Sequence, residues 1–238
     1  RWLGVLLAYT PVHHLLARAH PDPFVLTSGN RADEPIALDD DDARARLGAV
    51  ADAFLTHDRP IRARADDSVA RVVAGRPTLL RRSRGHAPRP LPLPVPTPQP
   101  LLACGAELKH TFCLARDGDA VLSPHIGDLE NWETHQAFVD GVDHLQRLYG
   151  IEPVVVAHDL HPEYLSTKYA LGLTGVEHLG VQHHHAHIAA CLADNGRREP
   201  AIGVAFDGLG FGTDGTLWGG EILAADLTGF ERLGHLAP

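Results

Sequence analysis

Two neighbouring stretches decide how this chain is read: QHHHAHIAA at residues 182–190 and AIGVAFDGLGFGTDG at residues 201–215. The first places four histidines in five positions and runs on through apolar residues 188–193, which continue a helix. Positions i and i+4 share a helix face, so His183 and His187 can hold one metal ion together. His184 and His185 then point elsewhere, toward a substrate. A histidine-rich surface helix, or a histidine satisfied in the core, is the plainer alternative. Two histidines are too few for a closed structural site, so a carboxylate partner and an open coordination position are expected. The second stretch reads as a buried-type strand, residues 201–206, that delivers Asp207 at its C-terminal end. Glycine then occupies every second position, at Gly208, Gly210 and Gly212. Glycine lets backbone N–H groups turn toward a ligand, forming a nest suited to phosphate. Beside the histidine pair, Asp207 is the expected third metal ligand and the three glycines are the expected nucleotide contacts. A dinucleotide fingerprint fits poorly, because LWGGE at 217–221 reads as a turn and strand rather than a helix.

Upstream, residues 153–157 read as another buried-type strand. Residues 133–149 carry apolar side chains at helical spacing (Phe138, Val142, Leu145, Leu148) and stop at Gly150. Residues 101–103, 111–115 and 120–123 suggest strands, with Asp117-Gly118 as a hairpin turn. Strand, helix and strand in sequence indicate an α/β sheet. His158 and His161, just past the strand at 153–157, lie either near the mouth of a site or in structural positions. Residues 87–100, APRPLPLPVPTPQP, hold seven prolines. Proline removes backbone donors and fixes φ, so this run reads as an extended connector rather than a packed element. An irregular loop within one domain is the alternative. The connector divides the chain into 1–86 and 101–238. In the first part, residues 11–19 and 39–47 read as helices, the latter acid-capped, and 23–27, 50–56 and 78–80 as strands. VLTSGN at 25–30 ends in small polar groups that can bind phosphate or a planar carbonyl, or cap a helix. Arginines crowd residues 59–64 and 81–84, where solvated charge competes with phosphate contact as the explanation.

A formal charge of −9 over 238 residues argues against coating nucleic acid, which needs clustered basic residues. Lys109 and Lys168 are the only lysines, so arginine carries nearly all positive charge. Cys104, Cys113 and Cys191 form no CxxC pair and suit a reducing cytoplasm. There is neither a run of about 18 apolar residues nor a signal peptide, so no membrane span is expected. The chain contains no methionine, opens on an apolar run (2–9) and stops at Pro238. These read as interior-looking ends, and the expectation is an excerpt of something longer.

Taken together, LTSGN with EPI, RADDSV and LLRRSRG resemble the distal half of a YrdC-like domain, the fold that makes carbamoyl-adenylates. GAELKHTFCL, SPHIGDLEN, HPEYLST, VQHHHAHIAA and DGLGFGTDGTLWGGE resemble the start of an actin-like, sugar-kinase-like transferase domain. That domain order is that of the hydrogenase-maturation carbamoyltransferases, the HypF family. The resemblance implies an α/β chain with the C-terminal part of a YrdC-like domain at 1–86, a linker at 87–100 and the first half of the transfer domain at 101–238. It implies that carbamoyl phosphate and ATP yield carbamoyl-adenylate. The carbamoyl group then passes to the C-terminal cysteine of a partner maturation protein of the HypE type, as the precursor of a cyanide ligand. Ser28 and Asn30 are expected to face the nucleotide, Ser68 and Arg81 its phosphates, and Lys109 a phosphate of the second domain. His183, His187 and Asp207 are expected to ligate iron or zinc, with His184, His185 and His158 as catalytic groups. Early YrdC-like motifs, an acylphosphatase-like domain and zinc fingers are lacking, so the chain alone is expected to be inactive as the whole enzyme. Competing readings are an O-carbamoyltransferase acting on a hydroxyl, whose relatives reverse the domain order, and a tRNA threonylcarbamoylation enzyme. The latter carries an acidic residue between its metal histidines, where this chain has HHHAH. The third is a non-catalytic metal- or nucleotide-binding module.

Overall fold

The computed structural model describes residues 3–236. Trp2, at the head of the apolar opening run, and Pro238 lie outside the described residues. Two short helices open the chain, α1 (Pro11–Ala19) and α2 (Asp40–Leu47). Each starts at a side-chain cap: Thr10 accepts from the His13 N–H, and Asp39 from the Asp41 and Asp42 N–H groups. An antiparallel pair follows, β1 (Val69–Val73) and β2 (Arg76–Arg81). The expected strands at 23–27 and 50–56 are not formed. Val25 is 96% exposed and no neighbouring strand supplies ladder hydrogen bonds to either segment, so β propensity alone has nothing to pair with.

Arginine holds much of this first part together. Arg46 ties Glu34 (3.0 Å), Asp42 (3.0 Å) and the Pro35 carbonyl (2.6 Å), while Arg64 donates to the Ile36 carbonyl at 2.8 Å. Among the described residues, every buried hydrophobic side chain lies at or after Leu102. The arginine-rich runs are therefore structural in good part: Arg81 pairs with Asp66 at 2.7 Å and Arg84 donates to the Ala65 carbonyl at 2.8 Å.

The second part is built on a six-stranded sheet. Its strands are β3 (Leu91–Pro92), β4 (Leu101–Ala103), β5 (Cys113–Arg116), β6 (Asp119–Leu122), β7 (Val155–Asp159) and β8 (Glu177–Val181), in spatial order β3-β6-β5-β4-β7-β8. The proline-rich run is thus not purely a connector. Leu91–Pro92 pairs with β6 at the sheet edge, where a missing N–H is tolerated, and the Tyr149 hydroxyl donates to the Pro88 carbonyl. The turn between β5 and β6 uses Asp117 and Gly118, both at positive φ (55° and 91°), as a two-residue hairpin requires. β4, β7 and β8 are parallel, so a crossover must link the hairpin to β7.

That crossover is α3 (Trp132–Tyr149). Asn131 caps its start through the Thr134 N–H, and Gly150 ends it at φ 60°, a left-handed conformation that a side chain disfavours. Phe138, Val142 and Leu145 sit one helical turn apart and pack with Leu102, Leu114, Val121 and Val156 of the sheet in one core. Each fully buried side chain of this size contributes about 1.5–3 kcal/mol. A short helix α4 (Leu165–Gly172) joins β7 to β8, and α5 (His183–Asp194) follows β8 directly. A separate antiparallel sheet, β9 (Ala201–Phe211), β10 (Leu217–Ala225) and β11 (Phe230–His235), packs on α5 through Ile188, Leu192, Trp218 and Leu223. The α/β class expected from the sequence is the one observed. No helix among the described residues is long and apolar enough to cross a membrane.

Candidate metal centre and a cavity between the two parts

β8 ends where α5 begins, so the first histidines of α5 stand at the edge of the parallel strands. Gln182 caps the helix: its side-chain oxygen accepts from the His185 N–H at 2.9 Å. His183 and His187 then lie one turn apart, ring centroids 4.8 Å from each other. Their Nε2 atoms are 3.2 Å apart, and Oδ2 of Asp207 on β9 lies 2.7 Å from the first and 3.2 Å from the second. One ligand atom from each of the three residues falls within 4.8 Å of the others. Two imidazole nitrogens and a carboxylate oxygen converging on one point fit a divalent ion such as zinc or iron, with coordination positions left for water or substrate.

One residue of this site was not legible beforehand. Asp159, at the C-terminal end of β7, places Oδ2 at 2.6 Å from Nδ1 of His183. His183 therefore stands between two carboxylates. Its basicity is raised above the ordinary imidazole range, chiefly by the hydrogen bond to Asp159, against the opposing effect of burial. Burial works against ionised Asp207. The Gly208 N–H, at 2.7 Å, and His183 outweigh it and hold the carboxyl below its usual range.

The other expected positions are distributed differently. His184 and His185 do not point to an open substrate site; both are buried between α5 and the three-stranded sheet. His184 lies against Gln182, its Nδ1 3.0 Å from the amide nitrogen, and burial lowers its basicity. His185 bonds the Asp226 carbonyl at 2.9 Å and packs beside Phe230. His158 precedes Asp159 in β7 and so faces the opposite side of the sheet, its Nδ1 donating to the Asp159 carbonyl at 2.7 Å. His161 stacks on Tyr164 at 4.1 Å and meets the edge of Phe211.

Gly208 and Gly210 do not form a nest, because β9 continues through them to Phe211, whereas Gly212 opens the turn to β10, its carbonyl accepting the Gly215 N–H at 3.1 Å. Close packing explains Gly210 and Gly212 better, whereas Gly208 has open space around it. A β-carbon on Gly210 would fall 2.4 Å from the His184 ring, and one on Gly212 would fall 2.1 Å from Trp218 Nε1. Asp214 braces the following turn, accepting from Thr216 and from Trp218 Nε1. Glu221, 1% exposed, makes a two-point pair with Arg232 at 2.7 and 2.8 Å, and the Arg232 guanidinium lies 4.1 Å over Trp218.

A cavity of about 750 Å³ opens between the two parts of the chain, lined by Ser28, Asn30, Arg64, Arg81, Lys109 and His125 among others. Asn30 braces its own turn by donating to the Arg31 and Glu34 carbonyls at 2.8 and 2.9 Å. Lys109 sits at positive φ with its N–H held by Asp128 at 2.5 Å. Ser68 does not line this cavity; its hydroxyl donates to the Arg84 carbonyl and accepts the Ser83 N–H, which is a structural use.

Comparison with known proteins gives three family models end to end. "Telomere recombination", the Sua5/YciO/YrdC model, matches residues 1–83; "HypF Kae1-like domain" matches 96–194; and "Carbamoyltransferase, Kae1-like Domain, second subdomain" matches 203–238. The chain is 47% identical to Carbamoyltransferase HypF of Synechocystis sp. over 99% of its length, which is 31% of that relative. It is 38% identical to the probable carbamoyltransferase HypF of Methanocaldococcus jannaschii, over 98% of this chain and 31% of the other. Among solved structures, full-length HypF in a phosphate- and nucleotide-bound form superposes with a TM-score of 0.93 at 45% identity, covering 98% of this chain and 37% of that one. T. kodakarensis HypF gives 0.81 at 39%, covering 89% and 28%. The chain thus spans about a third of the length of the curated relatives it matches.

Proposed function

The chain belongs to the HypF family of carbamoyltransferases, and from that premise we propose that it serves ATP-dependent carbamoyl transfer in hydrogenase maturation. The observation that carries the proposal is the convergence of His183, His187 and Asp207 within 4.8 Å, in a chain that also has a cavity lined by polar groups of both parts. In the first step, water hydrolyses carbamoyl phosphate to carbamate and inorganic phosphate, and a carbamate oxygen attacks the α-phosphorus of ATP. Pyrophosphate leaves, and carbamoyl-adenylate forms. In the second, the thiolate of a C-terminal cysteine on a HypE-type partner attacks the carbamoyl carbon and AMP departs.

Within this scheme Ser28, Arg64 and Lys109 offer hydroxyl and cationic contacts to nucleotide and phosphate. Asn30 shapes the turn that presents Ser28. His183, His187 and Asp207 hold an iron or zinc ion, which when bound supplies Lewis acidity to the carbonyl under attack. Asp207 is kept ionised by the Gly208 N–H, and Asp159 anchors the His183 ring.

The test places this chain in the corresponding segment of the Synechocystis relative and supplies ATP, carbamoyl phosphate and the partner. Intact-mass spectrometry is expected to show one carbamoyl group added to the partner's C-terminal cysteine, and none with the His183→Ala hybrid. Carbamoyl-adenylate formed without transfer to the cysteine would overturn the acceptor and point to a small-molecule hydroxyl. Nucleotide binding without turnover would overturn the enzyme reading.

A further inference from the structure

We infer that Asp159 is a positioning residue that fixes the proton of His183 on Nδ1 and so makes its Nε2 a metal ligand; this rests on the metal reading above. Asp159 has a side chain only 6% exposed and both of its carboxylate oxygens are engaged. Oδ2 lies 2.6 Å from His183 Nδ1, and Oδ1 accepts the His161 N–H at 2.8 Å. Its backbone carbonyl accepts from Thr167 at 3.1 Å, which ties the end of β7 to α4. A carboxylate is acceptor-only, whereas a neutral imidazole has one donor and one acceptor nitrogen. His183 faces a carboxylate at each nitrogen; when Nε2 gives its lone pair to a metal shared with His187 and Asp207, the remaining N–H stands at Nδ1, where Asp159 accepts it. His187 is 60% exposed and has only its Nε2 contacts with His183 and Asp207 among the hydrogen bonds of the described residues. The pre-set ligand is therefore His183, and the group that sets it comes from a different strand, 24 residues earlier in the chain. A carboxylate holding the far nitrogen of a ligating imidazole fixes both tautomer and ring orientation.

The geometry makes an unusual ordering of variants diagnostic. In Asp159→Asn, the single carbonyl oxygen is required by the His161 N–H, so the amide NH₂ faces His183 Nδ1 and donates to it. That moves the ring proton to Nε2 and blocks the ligand. Asp159→Ala removes the anchor without forcing the wrong tautomer. Titration of the intact chain with Co²⁺, followed by its visible absorption, is expected to show affinity falling roughly 10- to 100-fold in Asp159→Asn. Asp159→Ala should bind more tightly than Asn, although Asn is the closer isostere and melts closer to the wild type by circular dichroism. ¹⁵N-imidazole spectra of the Zn²⁺-loaded wild type should place the His183 proton on Nδ1. An Asn variant that binds as the wild type does, an Ala variant that binds more weakly than Asn, or a loaded His183 with no proton on Nδ1 would overturn the role of Asp159 alone. A wild-type chain that takes up no Co²⁺ would overturn the metal reading, and this role with it.

Discussion

His110 is the side chain whose burial has the plainest thermodynamic consequence. It is 2% exposed, donates from Nδ1 to the Ala106 carbonyl (2.7 Å) and packs edge-on against Phe138. Burial pushes its pKa down to about 4. A histidine that is harder to protonate when folded contributes no penalty above its unfolded pKa, about 6.5. As pH falls from there toward 4, the unfolded chain takes up a proton that the folded one refuses, and stability is lost, on the order of 3 kcal/mol in all. Urea denaturation at pH 7.5, 6, 5 and 4.5 should show that decline, and His110→Asn should flatten it; equal slopes in the two proteins would contradict the assignment. At this scale the sequence revealed part of the candidate site. The i, i+4 spacing of His183 and His187, with an aspartate ending an apolar stretch, was enough to pick out the converging trio. Asp159 escaped because its link to His183 spans two elements and leaves no local pattern. The glycines misled for a related reason: in sequence they resemble a nest, whereas the observed constraint at Gly210 is the His184 ring, 26 residues upstream.

Helices were legible as elements because their ends are local. Thr10, Asp39 and Asn131 announce three starts and Gly150 one stop, each through hydrogen bonds or dihedrals within a few residues. Strands were legible where a neighbour exists in the chain, as for β4 to β7, and misread where none does, as at 23–27 and 50–56. β1, VARVV and exposed along its whole length, gave no burial signal at all. The helix that most determines the second part is α3, and Phe138, fully buried at its centre, is the residue through which it engages the sheet. Phe138→Ala should lower unfolding free energy by about 3–5 kcal/mol, through lost burial and the cavity left behind. A midpoint shift in chemical denaturation measures it; a loss under about 1 kcal/mol would mean that α3 does not anchor this core.

Over the whole molecule, stability is distributed unevenly. Residues 101–225 hold the buried hydrophobic side chains, while residues 3–86 rely on caps, the β1–β2 pair and arginine contacts that are partly exposed. Exposed ion pairs contribute little, typically under about 1 kcal/mol each. Amide hydrogen exchange should therefore be fast through most of residues 3–60 and slow in α3, β4, β5 and β7. Uniform protection across both parts would contradict this division. The candidate metal centre is assembled from α5 and β9 and anchored by Asp159 of β7, one of the strands expected to exchange slowly. The most direct measurement is metal stoichiometry: equilibrium dialysis of the chain against Zn²⁺ or Fe²⁺, followed by elemental analysis. One ion per chain is expected, and loss of that ion in His183→Ala, His187→Ala and Asp207→Ala, each still folded. No bound ion, or an ion that survives all three substitutions, would contradict the centre.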